Sequence, residues 1–162
     1  EQALKGFSRY ASGQDRLLVL IDYTKPSTEK RFYILDLLQK KLLLSTYVAH
    51  GRGSGDNYAV AFSNRPGSYQ SSLGFFRTGD TYMGKNGYSL FLDGLEKGIN
   101  DKARERAIVV HGANYADPAV LKGQQRLGRS LGCPALPPDI SKQVIDTIKG
   151  GVLLYIYGLN KA

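Results

Sequence analysis

The sequence predicts a mainly β fold, a β-sandwich or barrel-like mixed sheet of about eight or nine strands with two or three short helices. Short apolar runs alternate with turn-forming segments along the chain, which is typical of a strand-and-turn protein. Gly (19) and Tyr (11) are abundant and Trp is absent, and these counts suit strands and turns better than a helical bundle. The length of 162 residues favours one domain with its own buried core.

The first third of the chain is predicted to hold one helix and three strands. Apolar residues recur at helical spacing over 3–11, which predicts a short amphipathic helix. Residues 17–23 (LLVLIDY) are typical of a buried strand, and a polar turn at 25–30 follows them. Further strands at 31–36 and 42–49 complete an antiparallel meander.

The middle of the chain is predicted to be rich in loops. Glycines and other turn-forming residues mark loops at 50–58 and 62–74. Short strands are then expected at 74–77, 81–84 and 88–92.

The last third of the chain mixes helices with strands. Asn100 is a suitable N-cap for a short helix over 100–106. The run 107–110 (AIVV) is rich in β-branched residues and predicts a strand that leads directly to His111. The remaining elements are, in order, an irregular stretch at 114–129, a helix at 139–149 that Gly150 and Gly151 end, and a strand at 152–157.

Composition and charge exclude several classes of protein. We expect a single domain over 1–162, in which 1–16 is an N-terminal helical extension. The net charge of +8 favours an anionic partner. It does not indicate a nucleic acid, because no helix carries a basic stripe and no strand shows the aromatic pattern of RNA-binding sheets. No apolar run approaches the ~18 residues of a transmembrane span.

Cysteine and histidine counts limit the chemistry further. The single cysteine, Cys133, rules out an internal disulfide framework. One cysteine and two histidines, His50 and His111, also argue against a zinc site, and we expect no metal and no cofactor. The chain starts at Glu1 without a signal peptide, which suggests a processed or trimmed start. Nothing in the sequence demands more than a monomer.

The stretch 108–136 carries the chemistry. A predicted strand delivers His111 and then Gly112, and Cys133 follows 22 residues later in a Gly-Cys-Pro turn. An adjacent imidazole lowers the pKa of a thiol and then serves as a general acid. Gly132 allows close approach of the backbone, so the N–H groups of Gly132 and Cys133 are candidates to hold an oxyanion. The residues alone leave two alternatives, a cysteine nucleophile and a small buried packing residue.

Two segments resemble the catalytic segment of the murein L,D-transpeptidase catalytic-domain family. They are VVHGANYA (109–116) and GRSLGCPAL (128–136), which match its His-Gly after a strand and its Ser-x-Gly-Cys turn. Other segments resemble the branch of the family whose motif ends in Gly-Cys-Pro-Ala. These are VAHGRGSG (48–55), FSNRPGSYQSSLGFF (62–76), DGLEKGIND (93–101) and LLYIYG (153–158).

The resemblance implies an L,D-transpeptidase-like fold and acyl transfer on peptidoglycan stem peptides in the periplasm or cell envelope. It implies that Cys133 is the nucleophile and His111 the base and acid, while Ser130 helps to hold the site. The sequence departs from the common motif at two positions, with Leu131 in place of a second histidine and Ala135 in place of an arginine.

These departures move substrate binding to other residues. The substrate-binding candidates are Arg129, His50, Asn114, Tyr115 and Ser72. The Gly-rich run at His50 lacks the Gly-Lys-Ser/Thr ending of a phosphate loop, and a structural histidine in a glycine turn is the alternative there. For the whole domain, the alternatives are an L,D-carboxypeptidase that uses water and a wall-binding domain without activity.

Overall fold

The structure, a computed structural model, describes residues 2–161. Within them, eight strands form one mixed sheet in the order β3-β2-β1-β8-β4-β5-β6-β7. The strands are β1 (Leu17–Asp22), β2 (Phe32–Asp36), β3 (Lys41–Thr46), β4 (Gly74–Gly84), β5 (Gly87–Gly94), β6 (Val109–Gly112), β7 (Ala135–Leu136) and β8 (Leu153–Tyr157). The helices are α1 (Gln2–Tyr10) and α2 (Pro138–Ile148), with 3₁₀ turns at Asn114–Ala116 and Pro118–Lys122. The predicted mainly β, mixed-sheet fold is therefore confirmed.

The sheet has two halves that β8 joins. One half is the antiparallel meander β1–β2–β3, as predicted. The other half runs from β4 to β7 and is antiparallel up to β6. β8 pairs in parallel with β1 and antiparallel with β4, so the last strand along the chain lies at the centre of the sheet.

The two edges of the sheet approach one another and nearly close a barrel. The chain leaves β3 at one edge and reaches Ala49 and Gly51, which bridge to Ala135 and Ser130 near the opposite edge. The N–H of Ala49 donates to the carbonyl of Ala135 at 2.8 Å. This closure brings residues about 80 positions apart into contact beside Cys133.

The interior of the sheet is packed against α2. Val144, Ile145 and Ile148 share one face of that helix and are fully buried against strand residues such as Phe76 and Leu90. Burying an apolar side chain of this size contributes roughly 1.5–3 kcal/mol. The opposite face of β4 and β8 is covered by α1, where Phe7 and Tyr10 pack on a smaller buried cluster.

Two predicted elements differ from the structure. Strands predicted at 74–77 and 81–84 are one strand, β4, with an irregularity between Thr78 and Thr81. The helix predicted over 100–106 is wrong, because this segment is a series of turns. The Asn100 side chain accepts from the preceding Glu96 N–H at 2.9 Å and therefore does not cap a following helix.

Element boundaries near the site also shift. β6 begins at Val109 rather than at Ala107, because Ala107 has a φ of +56° and lies in a turn. The short strand β7 was not predicted. α2 matches its prediction closely, and Gly150 with a φ of +82° follows its end. None of the helices within residues 2–161 is long and apolar enough to cross a membrane.

Candidate active site

Strands β6 and β7 bring Cys133 and His111 to one cleft. β6 pairs in parallel with β7, with His111 opposite Ala135. Val109 and Cys133 each lie two residues before a member of this pair, and the N–H of Val109 donates to the Cys133 Sγ at 3.4 Å. The structure therefore places together the two residues that the sequence predicts as nucleophile and base.

The space above this pair, which we call the cysteine cleft, has a volume of about 500 Å³. Turn residues 106–108 and 129–131 form much of its wall, and the tip of the β4–β5 hairpin closes one side. Its principal side chains are Cys133, His111, Lys85, Arg106, Arg129, Tyr82, Tyr115 and Leu131. None of the described residues that line it is an aspartate or a glutamate.

Cys133 is 8% exposed and lines this cleft. Burial raises the pKa of Cys133, while the N–H of Val109 and the charge of Arg106 act in the opposite direction. The Sγ also lies 3.4 Å from the Ala107 carbonyl, to which the thiol donates. The resting group is thus a protonated thiol that needs a base before it can act as a nucleophile.

The His111 ring has one nitrogen fixed by a backbone carbonyl. Its Nδ1 lies 2.9 Å from the carbonyl of Gly112, and a carbonyl only accepts hydrogen bonds, so we assign the ring hydrogen to Nδ1. Burial lowers the pKa of His111, and the hydrogen bond to Gly112 partly offsets that effect. The other nitrogen, Nε2, is then free of a proton and can receive one.

The cysteine turn is held by Ser130. Its Oγ donates to the Cys133 carbonyl at 2.6 Å and accepts from the Gly132 N–H at 3.1 Å. Gly132 has a φ of +127°, and a Cβ there would lie 2.8 Å from Ile108 Cδ1, so the position requires glycine. Ser130 thus occupies the N–H of Gly132, whereas the Cys133 N–H donates to no group within residues 2–161.

Three other predicted residues lie around the cleft. Gly112 packs against α2, where a Cβ would meet Ser141 Oγ at 2.5 Å, and its carbonyl fixes His111. Tyr115 lines the cleft, and burial raises the pKa of its hydroxyl to about 12. Asn114 is exposed and lines a neighbouring cleft of about 510 Å³, which shares Lys85, Asn86 and Tyr115 with the first.

His50, predicted as a substrate-binding candidate, is 1% exposed and is not among the residues that line the cysteine cleft. His50 Nδ1 lies 2.8 Å from Nη2 of Arg31, and Nε2 lies 2.9 Å from the carbonyl of Asp56. Burial, followed by the charge of Arg31, lowers the pKa of His50 to about 4. Its backbone carbonyl accepts from Ser130 N–H at 3.0 Å, so His50 supports the cysteine turn from behind.

The other substrate-binding candidates differ in access. Ser72, also predicted as a candidate, is 2% exposed, and its Oγ donates to the Ser63 carbonyl rather than into the cleft. Arg129 lines the cleft and donates to the Gly55 carbonyl at 3.2 Å, while its Nε is buried without a partner.

Two lining cations, Arg106 and Lys85, were not predicted. Lys85 lies at the tip of the β4–β5 hairpin and Arg106 in a turn. No local motif distinguishes such positions, because only the pairing of distant strands brings them to Cys133. Within residues 2–161 no cluster of His, Cys, Asp or Glu side chains is suited to hold a metal ion.

The fold and the site define a class of mainly β domains in which a buried thiol and a neutral imidazole share one cleft at the rim of a nearly closed mixed sheet. The chain belongs to the L,D-transpeptidase catalytic domain family, whose model matches residues 1–157. No curated protein sequence matches the chain significantly.

Solved structures share the fold at low sequence identity. The cell-shape determining protein Pgp2 from Campylobacter jejuni is 17% identical, with a TM-score of 0.59 over 91% of this chain and 50% of that one. The L,D-transpeptidase (Yku) from Stackebrandtia nassauensis is 15% identical, with a TM-score of 0.53 over 98% and 63%. The LD transpeptidase LdtMt1, solved in complex with imipenem, is 14% identical, with a TM-score of 0.51 over 88% and 59%. The chain thus spans one half to about three fifths of these proteins.

Proposed function

We propose that this domain is a peptidoglycan L,D-transpeptidase that uses Cys133 as its nucleophile and His111 as its base and acid. The observation that carries the proposal is the cysteine cleft, in which a thiol lies opposite the strand that bears a neutral imidazole with a free Nε2. Family membership supports stem peptides as the substrate class. It also supports a place of action in the periplasm or cell envelope.

The first half of the reaction forms a thioester. His111 Nε2 takes the thiol proton, and Sγ attacks the carbonyl of the third residue, a diamino acid, in a donor tetrapeptide. The Cys133 N–H stabilises the oxyanion, since charge that develops beside a preorganised donor is held without reorganisation. The C–N bond to the terminal D-residue then breaks, and its amine leaves with the proton that His111 carries.

The second half resolves the thioester. The side-chain amine of another stem attacks the carbonyl while His111 accepts a proton from it. The C–S bond then breaks, and the sulfur leaves as a thiolate that takes the proton back from His111. The product is a 3→3 crosslink. Water in place of the amine gives a tripeptide, and the domain is then an L,D-carboxypeptidase.

The charge of the cleft supports an anionic peptide substrate. Lys85, Arg106 and Arg129 all line it, and no acidic side chain is present among its described lining residues. Stem peptides carry free carboxylates, which such a set of cations attracts. Arg129 and Lys85 are the residues we propose for carboxylate binding, in keeping with the net charge of +8.

Intact-protein mass spectrometry with imipenem tests the nucleophile. The wild-type protein gains one covalent adduct, and the folded Cys133→Ala variant gains none. Because the chain contains a single thiol, no second cysteine complicates the result. A folded wild-type protein without an adduct would refute the mechanism and would favour a wall-binding domain without activity.

Incubation with purified disaccharide tetrapeptides then separates the two enzymatic outcomes. The transpeptidase forms 3→3 dimers, which liquid chromatography with mass spectrometry resolves from monomers. Tripeptides without dimers, at any acceptor concentration, would establish the carboxypeptidase instead. The Cys133→Ala variant is the matched control in both assays.

A further inference from the structure

The guanidinium of Arg106, which lines the cysteine cleft, is held by several hydrogen bonds to one loop. Its Nη1 donates to the Ser63 carbonyl at 2.9 Å and to Ser72 Oγ at 2.8 Å. Its Nη2 donates to Ser68 Oγ at 3.1 Å and to the Gln70 carbonyl at 2.8 Å. Four of its five N–H groups are thus fixed by one loop, and the planar guanidinium has little freedom.

All four of these acceptors are neutral. Within residues 2–161, no carboxylate forms an ion pair with Arg106, whereas Arg104 on the same turn pairs with Asp93 at 2.6 Å. The Nε of Arg106 is buried and makes no hydrogen bond. A half-buried cation without a counter-ion is costly, and a function that uses its charge explains why it is placed there.

The group that this charge reaches is the cysteine turn. Arg106 and Cys133 line the same cleft, and Arg106 Nη2 lies 3.5 Å from the position that a Cβ of Gly132 would occupy. The Gln70 carbonyl that holds Nη2 lies 3.0 Å from the same position. The positive charge of Arg106 also lowers the pKa of Cys133 more strongly than that of Lys85 does.

We propose that Arg106 is a positioning residue for the Cys133 nucleophile: the loop 63–72 holds its guanidinium against the cysteine turn, where its unpaired positive charge stabilises the anionic sulfur. His111 removes the thiol proton and Arg106 stabilises the charge that remains. The inference rests on the proposed role of Cys133 as the nucleophile. Its test uses only the reactivity of the thiol, so it can fail or succeed independently of transpeptidation.

The pH dependence of alkylation by iodoacetamide measures this charge effect directly. Only Cys133 can react, because the chain has no other thiol. We expect Arg106→Gln to raise the pH midpoint of alkylation by about 1 unit and to slow the reaction at pH 7 by about tenfold. Arg106→Lys keeps the charge but loses the fork, so its midpoint should lie between those of the wild type and Arg106→Gln.

Arg104→Gln is the matched control. It removes one positive charge from the same turn, but Arg104 is exposed and paired with Asp93, so we expect the wild-type midpoint. A purely structural role of Arg106 would change the melting temperature without moving the midpoint. An unchanged midpoint in folded Arg106→Gln would therefore overturn the proposal.

A second pair of variants covers the case in which Arg106→Gln does not fold. Ser68→Asp places a carboxylate against Arg106 Nη2 and neutralises the guanidinium while Arg106 itself remains. Ser68→Asn is its uncharged counterpart. The Asp variant should raise the midpoint relative to the Asn variant, and equal midpoints would contradict the proposal.

Discussion

The two histidines of this domain have similar burial but different freedom. His111 is 3% exposed and His50 is 1% exposed, and burial lowers the pKa of both rings. His50 has both nitrogens engaged, one with Arg31 and one with the carbonyl of Asp56. Within residues 2–161, His111 has only Nδ1 engaged, and it lines the cysteine cleft.

The difference shows that burial and a shifted pKa do not by themselves identify a catalytic histidine. Both nitrogens of His50 are held by groups that do not line the cysteine cleft, so this ring stabilises the structure around it. A ring with one fixed partner has a defined tautomer and a free nitrogen, which general base catalysis requires.

Replacing each histidine with glutamine should give the largest difference between the two residues in the rate of adduct formation. We expect His111→Gln to slow formation of the imipenem adduct by about 10²–10⁴-fold, because the thiol loses its base. His50→Gln can still accept from Arg31 and donate to Asp56, so its rate should stay within about tenfold of the wild type. Stopped-flow mixing followed by mass spectrometry measures both rates, and equal losses would contradict the assignment.

Acid should reveal the structural role of His50. The unfolded chain binds a proton at His50 as the pH falls below about 6.5, whereas the folded protein does so only near a pKa of about 4. The free energy of unfolding should therefore fall by about 3 kcal/mol between pH 6.5 and pH 4. Urea denaturation at several pH values measures this slope.

The control for that slope is His50→Gln, which lacks the titrating group but keeps His111. Its free energy of unfolding should fall less steeply over the same pH range. The same slope in both proteins would show that His50 does not stay neutral in the folded state.

Two buried serines, Ser130 and Ser71, should show the smallest difference in the rate of adduct formation when each is replaced. Ser130 Oγ holds the cysteine turn, and Ser71 Oγ accepts from the Gly51 N–H at 2.9 Å behind it. Replacing either with alanine should lower the free energy of unfolding by about 1–3 kcal/mol, because a buried partner is left unpaired. Only Ser130→Ala should also slow adduct formation, by about tenfold to a hundredfold, because only that change displaces the nucleophile. If Ser71→Ala slowed adduct formation to the same degree, the two serines would not differ in their effect on the nucleophile.

The sequence was sufficient to predict the strands with strong local patterns. Residues 17–22 and 32–36 are apolar runs bounded by turn residues, and α2 has a helical stripe with glycines after it. The segment 100–106 was wrongly predicted as a helix, since the side chain of Asn100 binds the distant carbonyls of Leu73 and Phe75. Local capping rules do not include such tertiary partners.

The site residues likewise fall into two groups, those that the local sequence can predict and those that it cannot. Cys133 and His111 could be singled out because their residue types and flanking glycines indicate chemistry. The burial of His50 and Ser72 and the placement of Arg106 could not, because each depends on pairing between segments far apart in sequence. The bridge between Gly51 and Ser130 is one such pairing, and β7 is too short to have a pattern of its own.

The central position of β8 has a consequence for how the domain is made. Leu153–Tyr157 is the last strand along the described chain, yet it connects β1 to β4. During synthesis the meander and the half that carries Cys133 therefore emerge from the ribosome before the strand that joins them. The pairings of β8 with β1 and with β4 can therefore form only after residues 153–157 are available. Until then β1 and β4 each present an unpaired edge, and such an edge can pair with another chain and aggregate.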